Sequence, residues 1–197
     1  MLKRSFDFTF SLIGFIILFP FLFVIGVLII LDSKGGALYI QKRVGRNFKE
    51  FGIIKFRTMV PNSDQVGLLT VGSRDSRITK IGFFLRKNKI DELPQLLNVL
   101  LGDMSFVGPR PEVKKYVDSY NEDQQEVLNV RPGVTDIASI SYSNENELLS
   151  KYSDPEKAYI QIIMPDKLKL NLEYIQRQSF ISDFKIIVRT IFKLFKR

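Results

Sequence analysis

The chain has 197 residues, enough for one domain with a real core, and a net charge of +8 that points to anionic partners: nucleic acid, phosphorylated small molecules or an acidic membrane surface. It contains no cysteine and no histidine, which excludes disulfides, thiolate nucleophiles, Ser-His-Asp triads and Cys/His zinc sites. Any acid, base or nucleophile must come from Asp, Glu, Lys, Tyr, Ser or Thr, and any bound metal must be a hard cation held by oxygen.

The first element is apolar. From Phe8 to Leu31 there are 24 residues without a charge, roughly 36 Å of straight helix and so enough to cross a bilayer. A cleaved signal peptide fits poorly, because the stretch is too long and "LDSKGG" has no small-x-small cleavage site. Pro20 stands in the middle, where it removes one helical hydrogen bond and presses on the carbonyl of Ile16, so a kink is expected there. Lys3 and Arg4 precede the segment, and Lys34, Lys42, Arg43 and Arg46 follow it. Cations on both flanks favour both ends on the cytoplasmic side, which a re-entrant helix satisfies and a spanning one does not. Proline also occurs in spanning helices, so this pattern leaves both forms open.

Next come two short apolar and aromatic runs in "ALYIQKRVGRNFKEFGIIKFRTM", separated by Gly45-Arg46-Asn47, which predict a β-hairpin. Residues 60 to 77 are rich in turn formers and predict an exposed loop. "ITKIGFFLRKN" sets Ile78, Ile81 and Leu85 on one helical face, and "DELPQLLNVLLG" sets Leu93, Leu96, Leu97 and Leu100 on another before Gly102 ends it. Further helices are expected over 111–129, 154–163, 166–178 and 180–196, broken by the Arg131-Pro132-Gly133 turn and by Pro165. In the last of these, Phe184, Ile187, Val188, Ile191 and Phe195 share a face, while Lys185, Arg189, Lys193, Lys196 and Arg197 occupy the rest. Such a helix suits a membrane interface, with its cations at lipid headgroups, and it also suits an ordinary core position with a solvated basic face.

The adjacent carboxylates Asp91 and Glu92 lie where the second of these helices should begin, three and two residues before Pro94. Alone, they read as a helix N-cap and a favourable first-turn charge, worth roughly 1 kcal/mol and no chemistry. Their surroundings argue for more. Arg86 and Lys87 precede them, and "GDMSFVGPRPE" follows with Arg110 framed by two prolines. Carboxylates among phosphate-binding cations either hold Mg²⁺ against a diphosphate or attack phosphorus, and both are phosphoryl-transfer chemistry.

The strings "KFRTM" (55–59), "DELPQLLNVLLGDMSFVGPRPE" (91–112) and "RPGVT" (131–135), behind "KRSFDF" and a proline-broken apolar helix, closely resemble the bacterial sugar transferases, the monotopic polyprenyl-phosphate phosphoglycosyl transferases. The resemblance covers nearly the whole chain and matches the small, catalytic-domain-only form. It implies a mainly α fold with a small β-hairpin, a re-entrant helix over 1–31 bent at Phe19-Pro20, and a catalytic domain over 32–197. That domain would sit on the cytoplasmic face of the bacterial inner (plasma) membrane, with amphipathic helices at the lipid interface. It implies a ping-pong reaction in which Asp91 attacks the β-phosphate of a UDP-sugar and releases UMP. A polyprenyl phosphate, undecaprenyl phosphate in most bacteria, then takes the phosphosugar as a first membrane step of polysaccharide or glycoconjugate assembly. On this resemblance Glu92 assists in Mg²⁺ or proton handling, Asp91 also meets the Mg²⁺, and Lys55, Arg86, Arg110 and Arg131 bind phosphate. Members often carry Ser-Pro at the bend, where this chain has Phe19-Pro20, and phenylalanine cannot bond a freed carbonyl as serine can.

Nucleic-acid binding is not expected, because no recognition motif accompanies the charge. The sugar is not readable, although the polar segment after "RPGVT", with Asn144, Glu145 and Asn146, is where sugar hydroxyls would be met. The membrane-associated helices leave a face on which two chains could pair as a homodimer.

Overall fold

The computed structural model describes residues 2–61, 63, 69 and 75–195, with side chains as far as 193. Of the loop expected over 60–77, residues 62, 64–68 and 70–74 lie outside the described residues, as do Lys196 and Arg197. Among the described residues the architecture is mainly helical with two small sheets.

Helix α1 (Leu2–Asp32) runs unbroken through Phe19 and Pro20, about 46 Å at 1.5 Å per residue. Only 17% of its most apolar 18 residues are buried, so it is not a core helix of the usual kind. Its length and composition suit a membrane, and its apolar side chains Phe8, Ile16, Ile17, Phe19 and Phe23 face outward. Both ends are bound to the rest of the chain. At the start, Lys3 Nζ donates to Val107 O at 2.8 Å and to Asp183 at 2.5 Å, Arg4 donates to the carbonyls of Val99 and Leu100, and Asp7 accepts from Phe106 N. At the finish, Asp32 accepts from Ile81 N, and the Arg57 guanidinium binds the carbonyls of Ser33, Lys34 and Gly35. Leu22, Ile25 and Ile29 close this end against Phe56 and Leu85, each fully buried aliphatic adding roughly 1.5–3 kcal/mol.

Strands β1 (Leu38–Val44) and β2 (Glu50–Phe56) form the expected antiparallel hairpin, with Leu38 opposite Phe56 and Val44 opposite Glu50. Asn47 and Phe48 in its turn both take positive φ. The 60–77 loop closes at its base through the Met59–Ile78 bridge and a Val60 N to Arg77 O hydrogen bond. Thr79 caps helix α2 (Lys80–Lys87) by accepting from Gly82 N. After a 3₁₀ turn over Ile90–Gln95, helix α3 (Leu96–Leu101) ends at Gly102, whose φ of 96° suits glycine.

Two expectations are corrected, and one strand pair is added to the expected hairpin. Strands β3 (Ser105–Val107) and β4 (Gly133–Thr135) form a parallel pair that local patterns do not announce, since each is three residues long and their pairing is non-local. The helix expected over 111–129 is instead α4 (Lys114–Val117), α5 (Glu122–Gln125) and a 3₁₀ turn over Glu126–Asn129. Asn121 forms a capping box with Gln124 and restarts the helix there. Pro165 does not break its helix. A π turn over Tyr159–Ile163 joins α8 (Pro155–Ala158) to α9 (Met164–Gln176), and the wider turn absorbs the proline that follows it.

Short helices α6 (Ile137–Ser141) and α7 (Glu145–Leu149) occupy the segment after β4, and Glu145 is ion-paired with Lys167 at 2.6 Å. The largest core gathers Val113, Tyr116, Leu128, Leu149, Tyr159 and Leu168. Helix α10 (Phe180–Phe195) buries Asp183 and Ile186 but exposes Phe180, Ile181, Phe184, Ile191 and Phe192.

Candidate active site

The hairpin register pairs Lys55 with Tyr39 and Ile53 with Gln41, and strand alternation sets Lys55 on the same face as the buried Ile53. Burial disfavours the ammonium and lowers the Lys55 pKa to about 8, with Glu92 acting in the opposite direction. Glu92 Oε1 lies 3.4 Å from Lys55 Nζ.

Asp91 and Glu92 come from the 3₁₀ turn. Lys89, in the left-handed conformation at φ 58°, reverses the chain after α2 and occupies the cap position, so Asp91 is not the N-cap. Asp91 is 8% exposed, and its buried Oδ1 has no hydrogen-bond partner. An acid that capped a helix would have its oxygens on backbone N–H groups. Burial, then the neighbouring Glu92, raises the Asp91 pKa, while Lys55, Arg86 and Lys89 oppose the rise. Glu92 behaves differently. Burial disfavours its charge too, but Arg110 and Lys55 outweigh this and hold its carboxyl well below the usual range.

Arg110 reaches Glu92 with both terminal nitrogens, Nη1 at 3.3 Å from Oε2 and Nη2 in close contact with Oε1. It arrives there because β3 lies beside β4. Gly108 N donates to Thr135 O and Gly133 N to Pro109 O, at 3.1 and 3.0 Å. A Cβ on Gly133 would sit 2.1 Å from Gly108 N, so these backbones meet only because neither residue has a side chain.

Arg86 Nη1 lies 3.4 Å from Thr58 Oγ1, and its charge acts on Asp91. The structure thus gathers Lys55, Arg86, Asp91, Glu92 and Arg110. It does not bring Arg131 to them. Arg131 Nε donates to Gly102 O at 2.9 Å, at the far end of α3 from the dyad. Phe19 and Pro20 lie in the outward-facing stretch of α1, but nearby Phe15 and Leu18 pack in one apolar cluster with Ile90 and Leu93, which bracket the dyad.

Asn98 was not singled out from the sequence, yet it ties α3 to β2 by accepting from Ile54 N at 2.9 Å and donating to Gly52 O at 2.8 Å. A polar asparagine within a run of leucines is the signal available in the sequence, and in the structure it is buried. Arg57, within the KFRTM motif, and Arg4, a charge flanking the apolar segment, both bind carbonyls at helix ends.

Residues 1–197 match the family model described as bacterial sugar transferase. The exopolysaccharide production protein PSS of Rhizobium leguminosarum bv. phaseoli is 37% identical over 202 residues, 97% of this chain and 94% of that protein. The UDP-glucose:undecaprenyl-phosphate glucose-1-phosphate transferase of Escherichia coli is 34% identical over 99% of this chain, and the UDP-N-acetylgalactosamine-undecaprenyl-phosphate N-acetylgalactosaminephosphotransferase of Aeromonas hydrophila is 34% identical over 96%. The chain spans 40% and 43% of the length of those last two. A match over the full chain, with the dyad and its cations assembled in one place, means that this protein belongs to the bacterial sugar transferase family.

Proposed function

We propose that the chain moves a sugar 1-phosphate from a UDP-sugar to undecaprenyl phosphate, initiating polysaccharide or glycoconjugate synthesis at a membrane surface. The observation that carries this reading is the buried Asp91 carboxylate with an unpartnered Oδ1, under the charges of Lys55, Arg86 and Lys89, beside a Glu92 that is paired with Arg110. A structural carboxylate in that position would be bonded or paired, as Glu92 is.

In the first step an Asp91 oxygen attacks the β-phosphorus of the UDP-sugar. The bond from that phosphorus to the bridging oxygen breaks, and UMP leaves with the electron pair, so the phosphosugar stays on Asp91 as an acyl phosphate. In the second step an oxygen of undecaprenyl phosphate attacks the same phosphorus and returns the carboxylate, giving the polyprenyl-diphosphate sugar. Burial makes Asp91 more basic, hence a better nucleophile once ionised, and the surrounding cations offset its repulsion from an anionic donor. Glu92 holds Arg110 and Lys55 beside the dyad, where their charges can meet the phosphates.

Among the described residues, no group of three or more acidic side chains gathers to hold a metal. The unpartnered Asp91 Oδ1 is a hard oxygen donor of the kind Mg²⁺ takes, and Asp91 is the residue that would hold the ion. Bound there, Mg²⁺ would neutralise charge on the diphosphate.

Membrane placement is supported by α1. Both ends of the helix are held by the folded body, which favours both ends on one side of the bilayer and a re-entrant segment over a spanning one, although the helix is continuous through Phe19-Pro20 where a bend is expected. The exposed aromatic and aliphatic side chains of α10 continue that surface, joined to α1 by the Phe6–Phe180 ring contact at 5.4 Å. The surface lies in the cytoplasmic face of the bacterial inner membrane, among membrane lipids, where both substrates are at hand. The test is UMP release by protein in nanodiscs with Mg²⁺, undecaprenyl phosphate and a panel of UDP-sugars. UMP that depends on one donor and on Asp91 is expected. Absence of both UMP and a phosphosugar adduct on the intact protein would overturn the reading.

A further inference from the structure

Glu112 follows the Pro109-Arg110-Pro111 triplet, its side chain is only 12% exposed, and the reaction above does not use it. One of its carboxylate oxygens accepts the Tyr159 hydroxyl at 2.5 Å; the other lies 3.3 Å from Arg43 Nη1. The same Arg43 nitrogen donates to Pro111 O at 3.1 Å, and Val44 N donates to Glu112 O at 2.9 Å. Arg43 is itself steadied by Gln41, whose Oε1 accepts two of its N–H groups at 3.0 and 2.7 Å.

Prolines on both sides of Arg110 have no N–H, so the loop cannot be fixed by its own amides at those positions. The restraint must fall on carbonyls and on the next side chain. Upstream of Arg110 it is the Pro109 carbonyl, bound by Gly133. Downstream it is the Pro111 carbonyl together with Glu112, held by Arg43 from β1 and by Tyr159 from the π turn. Tyr159 is 2% exposed, and burial together with Glu112 keeps its hydroxyl protonated and donating. Its ring is set by Tyr116 at 5.1 Å and by Lys167 Nζ at 5.3 Å.

We propose that Glu112 and Tyr159 are positioning residues that act through Arg110, setting where its guanidinium meets the donor phosphate. The proposal rests on the phosphosugar-transfer reading. Its physical basis is that an arginine between two prolines, neither of which has an amide to anchor the loop, shifts once the side-chain anchor that follows it is cut, and a 1 Å displacement can cost on the order of a hundredfold in rate.

The test is UMP release in nanodiscs under single-turnover conditions for Tyr159→Phe and Glu112→Gln, each alone and combined with Arg110→Ala. Tyr159→Phe, which removes one oxygen and keeps the ring, should lower kcat/KM about tenfold when Arg110 is present and cause no further loss when it is absent. Glu112→Gln keeps an acceptor for Tyr159 but drops the charge facing Arg43, and should give a smaller loss with the same dependence on Arg110. Equal fold losses in both backgrounds would overturn the relay, because a residue acting through overall stability costs the same with or without Arg110. Failure of the unmodified protein to release UMP would overturn the transfer reading and the relay together. Should Glu112→Gln not fold, Tyr159→Phe alone decides.

Discussion

The pH dependence of donor use should be set by Lys55. Burial lowers its pKa from 10.5 to about 8, so the ammonium is lost as pH rises through that value. With that pKa, about nine-tenths of the free enzyme carries the Lys55 charge at pH 7 and about one-tenth at pH 9. If phosphate binding needs the cation, kcat/KM for the UDP-sugar falls about tenfold between those pH values. The limb belongs to the free enzyme. A bound diphosphate restores charge around the ammonium, so kcat at saturating donor should stay nearly flat over the same range. Two variants check the assignment. Lys55→Arg keeps the charge at every accessible pH and should remove the limb. Glu92→Gln removes the largest influence holding the ammonium charged, and should move the limb to lower pH. The assay is initial UMP release at donor concentrations far below KM from pH 6.5 to 9.5. A limb near pH 8 that survives in Lys55→Arg would refute the reasoning.

Asp91→Asn should abolish UMP release, by at least about a thousandfold, while leaving the melting temperature unchanged or higher, because it replaces a buried and incompletely bonded charge. A variant that stayed active would remove Asp91 as nucleophile. Gly133→Ala should destabilise the protein by about 1–3 kcal/mol or more and disrupt the Arg110 loop, since its Cβ would fall 2.1 Å from a backbone nitrogen; thermal denaturation and UMP release check both. Because the chain has no cysteine, single cysteines at Leu2 and Lys34 give a clean topology test. Both should react with an impermeant maleimide from the cytoplasmic side only, and labelling from opposite sides would establish a spanning helix.

The hairpin was legible because two short apolar runs separated by Gly45-Arg46-Asn47 are local signals, and α2 and α10 because apolar residues recur at helical spacing. Asp91, Glu92 and Arg110 stood out through their charge company and their motif. Local pattern did not reveal the β3–β4 pair, since three-residue strands carry almost no periodicity and their stability comes from glycine backbones separated by some 25 residues in the chain. Nor did it separate the roles of the cations. Arg86, Arg110 and Arg131 look alike in sequence, yet Arg110 meets Glu92, Arg86 acts on Asp91, and Arg131 binds the carbonyl of Gly102.

Composition limits the chemistry that is possible: without histidine or cysteine the site had to be built from other side chains, here carboxylates, a lysine and arginines. The sequence also set the long apolar segment that makes a membrane location favourable. Tertiary structure alone decided which carboxylate is bonded and which is left bare. Neighbours in sequence, Asp91 and Glu92 project into different surroundings, so Arg110 and Lys55 neutralise Glu92 while Asp91 Oδ1 has no hydrogen-bond partner. Partner assignment depends on distances between residues far apart along the chain, and those distances exist only after folding.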